Sequence, residues 1–435
     1  MAEADAPPAA QASGRRKAQA SGTFAPFRYP AFRAIWIANL TSSLGSLIQS
    51  VAAAWLMTSL TTSHRLIAMV QVSSTISIML LGMFAGAIAD NFDRRRVMLA
   101  AQIGMLVVSA ALSAMTWAGL ITPWLLLAFT LGVGMGTALN SPAWAASVRL
   151  QVDAEDLPQA IALNTISFNL ARCAGPALGG LIISVSNVGV AFAVNAVSYI
   201  GLIVVLLRWR PVQAPRPRRP ILSALVIGLR FCARNDPIRR VLMRGFALGL
   251  GIAGYQALIP SVVRGPLHGT EIQYGLLLGL FGIGSIATAL IISPAQRRFG
   301  TEAVVTVATL AFVAAQTVLA GAHSLIGAAP ATFIAGAGWV TAMTSINVVM
   351  QMRSPEEILG RCMSIYQACT FGGMAIGAWL WGTLADWRGL SFSLHVAAIF
   401  LLVSLVALRL VAPMPKEVGR LADDRQHMKK SRGAT

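Results

Sequence analysis

The sequence predicts an all-α membrane protein: twelve transmembrane helices in two pseudo-symmetric six-helix bundles. Three observations predict it. Of 435 residues, 56% are hydrophobic and only 11% are charged, against roughly 25% charged in water-soluble domains. The apolar residues stand in runs of about twenty, the length that crosses a bilayer as a helix. One long polar loop, residues 209–239, divides those runs six and six.

Residues 1–32 are rich in Ala, Pro and Ser, carry Arg15-Arg16-Lys17 and lack the apolar core of a signal peptide. They read as a disordered tail. Six spans follow, at 33–60, 66–90, 97–118, 123–148, 157–185 and 188–208, and make a first bundle over 33–208. The connections are short, so consecutive helices are antiparallel neighbours. The linker 209–239 opens with a proline-rich stretch, Pro211 to Pro220. From Ile221 to Asn235, Leu222, Leu225, Leu229 and Cys232 share one face, as in a helix lying on a membrane surface. A second bundle over 240–412 holds spans at 240–263, 273–294, 303–322, 327–352, 358–384 and 390–412, before a basic tail at 413–435. The halves echo each other. Asp153-Ala-Glu-Asp-Leu157 opens span five and Ser354-Pro-Glu-Glu-Ile358 opens span eleven. Acidic residues at both helix starts complement the helix dipole, and such internal repeats mark transporter folds.

The net charge of +18 would suit a nucleic-acid binder, but its distribution excludes that class. With the N-terminus inside, thirty of the 34 Lys and Arg fall on the inner side, three (Arg65, Arg264, Arg388) fall outside and Arg172 stands within a span. This positive-inside pattern puts both termini in the cytoplasm of a cell (inner) membrane protein. Cys173, Cys232, Cys362 and Cys369 show no paired spacing, so neither a disulfide framework nor a metal site is expected. No phosphate-binding loop or catalytic constellation is present. No cofactor is expected, and the chain does not read as an enzyme.

Between spans two and three, Gly86-x-x-Ala89-Asp90 is followed by Arg94-Arg95. This resembles the signature of the major facilitator superfamily, with Asn91 where a basic residue is usual and Asp93 where Gly is usual. Gln296-Arg297-Arg298-Phe299-Gly300 is a partial second copy between spans eight and nine. Asn140-Ser-Pro-Ala-Trp144, Ala162 to Arg172, Gly175-Pro-Ala-Leu-Gly-Gly180 and Phe371-Gly-Gly-Met374 resemble the enterobactin-exporter-like, transmembrane secretion effector branch, related to drug:proton antiporters. The resemblance covers residues 24–412. It implies a monomeric secondary transporter that exports small amphipathic molecules (drugs, siderophores or other metabolites) by alternating access, with protons as coupling ion. A lipid or lysophospholipid transporter of the same fold is the alternative; a membrane receptor or enzyme fits less well.

The resemblance also implies site residues. Gly86, Asp90, Arg94, Arg95, Arg149 and Arg361 form a gate, in which the Asp90 carboxylate faces the positive N-terminus of span eleven. Gly175, Pro176, Gly179 and Gly180 form an antiporter-like packing seam. Among residues read directly, Arg172 is the only charge well inside a span, and either faces a cavity to attract an anion or pairs with backbone carbonyls. Asn164 and Phe168 share its helix face. Asn39, Asn140, Tyr255, Gln256, Asn347 and Tyr366 are further cavity candidates, beside Gln49, Gln71, Asn195, Gln351 and Gln367. No Asp or Glu stands in the middle of a span, so proton linkage falls to Asp90, Asp386 or a histidine such as His395.

Overall fold

Lipid offers no water to backbone N–H and C=O groups, so a spanning chain satisfies them within helices or in a closed barrel. This chain takes the helical solution. The structure, a computed structural model, describes residues 23–210, 221–289, 291–355 and 358–413; side chains at 83, 86, 87, 89, 90, 221–225 and 227 are not described. Most of both tails and the proline-rich part of the linker therefore lie outside the described residues.

Twelve helices among the described residues are long and apolar enough to cross a membrane. The first six are α1 (Pro30–Leu60), α2 (His64–Asn91), α3 (Arg94–Trp117), α4 (Pro123–Ser147), α5 (Leu157–Val185) and α6 (Val188–Arg208). The linker helix is α7 (Ile221–Arg234). Then come α8 (Asp236–Arg264), α9 (Glu271–Ala289), a short α10 (Ile292–Phe299), α11 (Thr301–Ala320), α12 (Leu325–Arg353), α13 (Leu359–Arg388) and α14 (Leu390–Val411). The eighth span differs from the expected 273–294. Its described part ends at Ala289, and a separate short helix, α10, begins at Ile292 and carries Arg297 and Arg298, which cannot continue a lipid-facing run. With an even number of spans, both ends of the chain lie at one end of the bundle. The opposite end is the far end.

Local chemistry sets the helix starts. Ser63, Thr122, Asn187, Asn235 and Ser324 each accept a backbone N–H three residues on. Asp93, a departure from the signature, caps α3 in the same way. Its carboxylate accepts from the N–H of Arg95 (2.8 Å) and Arg96 (3.3 Å) in the first turn. Such a cap stabilises a helix by about 1 kcal/mol. The residue is a helix start signal in place of a turn glycine.

Each half is tied within itself. In the first, α1 packs on α5 and α6, α3 on α4 and α6, and α2 on α4. Gln49 of α1 accepts a hydrogen bond from Asn195 of α6 at 2.7 Å, and Asn195 also bonds Tyr199. These two polar residues therefore join helices. In the second half, α8 packs on α13 and α14, α11 on α12 and α14, and α9 on α12. Buried Arg244 of α8 bonds Glu302 of α11 at 2.9 Å and the carbonyls of Leu408 and Ala412 at the end of α14. The halves meet along two antiparallel pairs, α2 with α13 and α5 with α9. These pairs exchange under the six-plus-six repeat, since span two corresponds to span eight and span five to span eleven.

Candidate functional site

Between the halves lies a cavity of about 200 Å3. From the first half it takes residues of α1, α2 and α5, from the second residues of α8 and α9. Ser50, Gln71 and Ser74 line one wall and Gln256 the other. The aromatic lining is Tyr255, Tyr274 and Phe281, with Tyr255 stacked on Phe281 at 5.9 Å between centroids. Arg172 reaches the cavity from α5, with its guanidinium carbon 6.0 Å from the centre of the Phe281 ring. Pro176 lines it one turn further on.

The far end is sealed beside this cavity. Trp55 of α1 stacks on Tyr274 at 5.7 Å, and its indole N–H donates to Glu271 of α9 at 3.0 Å. Arg264 of α8 adds to the seal, 5.3 Å from the Trp55 ring, and donates to Thr58 at 3.0 Å. Gly180 and Gly275 let α5 and α9 touch backbone to backbone; a Cβ on Gly180 would run into the carbonyl of Glu271.

A second contact closes α2 against α13. Asp386, in the last turn of α13, accepts from Ser63 Oγ at 2.7 Å, from the His64 N–H at 2.5 Å and from the Arg65 N–H at 3.3 Å. A carboxylate of one half thus caps the helix N-terminus of the other, where free N–H groups and the helix dipole favour negative charge. Ser63 serves twice, since its hydroxyl also accepts from the N–H of Leu66.

Two halves, two antiparallel contact pairs and a central cavity define an architecture that known proteins share. A sequence profile of the family described as transmembrane secretion effector matches residues 21–432. The chain belongs to this branch of the major facilitator superfamily. The enterobactin exporter EntS of Escherichia coli O1:K1 is 27% identical over 411 residues, covering 90% of this chain and 95% of that protein. The corresponding exporter of Shigella boydii serotype 4 is 27% identical over 412 residues, with the same coverage. Among solved structures, a POT family transporter in complex with 5-aminolevulinic acid superposes with a TM-score of 0.73 at 12% identity, over 88% of this chain and 96% of that one. The nucleoside transporter NupG gives 0.70 at 13% identity, over 87% and 98%. At such identities these likenesses concern the fold. The protein is a multi-pass membrane transporter, and neither its relatives nor its fold is that of an enzyme.

Not every residue anticipated in this major facilitator transporter meets its expected partner. Gly86 and Asp90 are in the final turns of α2, and the Asp90 side chain is outside the described set. Arg94 is buried and donates to the carbonyl of Ala146 at 2.6 Å. Arg95 departs from the gate expected of it: it donates to the carbonyls of Leu206 (2.6 Å) and Leu207 (2.9 Å), tying α3 to the end of α6 within the first half. Arg149 is exposed in the turn after α4. Arg361, in the first turn of α13, stands against Gly228 of the linker helix α7. The seam is spread over three helices, with Gly175 and Gly179 against α1 and Gly180 against α9.

Of the cavity candidates, Arg172, Tyr255, Gln256 and Gln71 line the cavity. The others do not. Asn347 bonds Gln351 one turn along its own helix, and Tyr366 is buried against Gly245 of α8. Phe168 is 57% exposed, away from the cavity that Arg172 enters. Asn39, Asn140 and Asn164 are half-buried elsewhere in the first half. His395 is bonded to the carbonyl of Ser391 in its own helix at 2.7 Å. Sequence reasoning missed the seal of Trp55, Glu271 and Arg264, as well as Ser63, Tyr274 and Phe281. Trp55, at the outer end of an apolar run, reads as a membrane-interface anchor. Arg264, among the few basic residues outside the inner loops, was its only signal.

Proposed function

We propose that this transporter exports small amphipathic molecules across the inner membrane by alternating access around the central cavity. The positive-inside pattern makes the terminus-bearing end cytoplasmic and the far end external. The observation that carries the reading is the cavity between the halves, with its external end closed by contacts that all run from one half to the other. Contacts of this kind must break for the far end to open, which is what release to the outside requires. The Gly175 to Gly180 seam is the second closure on that path.

Protons enter the reading at Asp386. Protonation removes its charge and one acceptor site, so outside acid loosens the hold on the N-terminus of α2. The charged or titratable neighbours are His64 and Arg65 of α2 and, on its own helix, Arg388. Asp90 has the corresponding position on the cytoplasmic side and is read as the latch of the opposite state. In proteoliposomes, amphipathic dyes are expected to move faster than from protein-free vesicles, and faster still when the external face is acid. Dye flux equal to that of empty vesicles would refute export; flux that ignores an imposed pH gradient would remove proton coupling.

A further inference from the structure

Rocking and latching alone do not account for Arg172. It stands near the middle of a spanning helix, where a charge is costly and is retained for function. Among the described residues its guanidinium has no hydrogen-bond or ion-pair partner, and it stands over the Phe281 ring. Among the described residues no Asp or Glu lines the cavity. The cavity therefore holds a positive charge and several neutral polar groups, but no counter-charge. Around them the aromatic wall of Tyr255, Tyr274 and Phe281 presents flat apolar faces. Size narrows the ligand further. An apolar protein cavity of about 150 Å3 takes up benzene, so about 200 Å3 admits one substituted aromatic unit at a time.

We propose that this cavity binds an aromatic group carrying an anionic substituent, such as a carboxylate, sulfonate or phenolate. The anion accepts a forked pair of hydrogen bonds from the Arg172 guanidinium, whose five N–H donors are arranged to meet an oxyanion two at a time. The ring lies along Phe281 and its stacked neighbour Tyr255. The oxygen and amide groups of Ser50, Gln71 and Gln256 receive the remaining polar substituents. Cationic amphipaths are disfavoured, because Arg172 repels them and no acid compensates. This assignment rests on the transport reading above.

The test uses the full-length protein in nanodiscs and two probes, 1-naphthalenesulfonate and the neutral naphthalene-1-sulfonamide. The sulfonate is expected to bind about tenfold or more tightly than the sulfonamide, the usual scale of one charge-assisted bond. Arg172→Gln should erase that preference, and Arg172→Lys should keep part of it. Phe281→Leu should weaken both probes alike while leaving the preference in place. If the sulfonamide binds as well as the sulfonate, if neither binds, or if Arg172→Gln leaves the preference unchanged, the proposal is overturned. Should Arg172→Gln fail to fold, the Lys and Leu variants carry the decision by the same criteria. Vesicle flux separates the two readings. A sulfonate that binds through Arg172 but never crosses leaves the site standing and removes transport of that class. Dyes that cross with no dependence on Arg172 leave transport standing and remove the site.

Discussion

Replacing Asp386 by Ala should open the far end of this transporter. The residue is exposed, so its contacts compete with water, and their individual worth must be discounted. A hydrogen bond to a charged group contributes about 1.5–3 kcal/mol when protected. Three such contacts at 2.7, 2.5 and 3.3 Å on a wetted carboxylate are set together at about 2 kcal/mol rather than at their sum. That is a shift of about 30-fold in the balance between closed and open far ends. Asp386→Asn keeps one carbonyl acceptor and should shift the balance less.

The assay is thiol accessibility at Ser50, which lines the cavity. Ser50→Cys is placed in a protein whose Cys173, Cys232, Cys362 and Cys369 have been replaced. A membrane-impermeant maleimide is then added from outside. Its rate should rise about 30-fold in Asp386→Ala. Acidifying the outside should raise the rate in the parent protein, in the direction of the Ala variant, and do little to the Ala variant itself. If Asp386→Ala labels at the parent rate, Asp386 does not hold the far end shut. If the Ala variant responds to acid as the parent does, the proton acts elsewhere.

Two further outcomes follow from other contacts. Gly180→Ala puts a methyl group against the Glu271 carbonyl, which as backbone cannot step aside; overpacking of this kind costs about 1–3 kcal/mol, so far-end labelling at residue 50 should rise several-fold. An Ala variant that labels no faster would show that α5 and α9 need not touch there. The Cys232 thiol of α7 is pushed well above the ordinary range by burial and then by the neighbouring Cys362, so it stays protonated at neutral pH. Because only the thiolate is alkylated, iodoacetamide should modify it about tenfold or more slowly than in the unfolded chain, with the rate rising as pH rises. Modification at the unfolded rate would mean that α7 does not pack its Cys232 face against α13.

The twelve spans were legible because lipid leaves the backbone few choices, and run length alone then identifies a helix. The linker helix was legible from one face, Leu222 to Cys232. The start of a separate helix at Ile292 was not, since Ile291 and Ile292 continue the apolar run. For side chains the limit is different. A polar residue inside a span must meet something, but its own helix does not say what. Arg172 and Phe168 share a helix face by spacing, yet only Arg172 reaches the cavity. Gln49 and Asn195 satisfy each other, which is visible only once α1 and α6 are side by side.

The least legible feature is the one that closes the molecule. The resemblance implies a latch at Asp90 at the end of α2, as a carboxylate for the N-terminus of span eleven. The structure shows the same chemistry at the other end of the same pair: Asp386 at the end of α13 caps the N-terminus of α2. In an antiparallel pair each C-terminal turn faces the other helix's free N–H groups, so an acid in either last turn finds the same kind of partner. Nothing local distinguishes Asp386 from an ordinary loop acid, because its partner Ser63 is 323 residues away. If Asp90 meets α13 as its family position implies, the two contacts oppose each other. Rigid halves rocking about the cavity cannot tighten both ends of α2 against α13 at once. Each latch then stabilises one state by an amount set by its carboxylate, and acid on one side weakens only the latch that faces it.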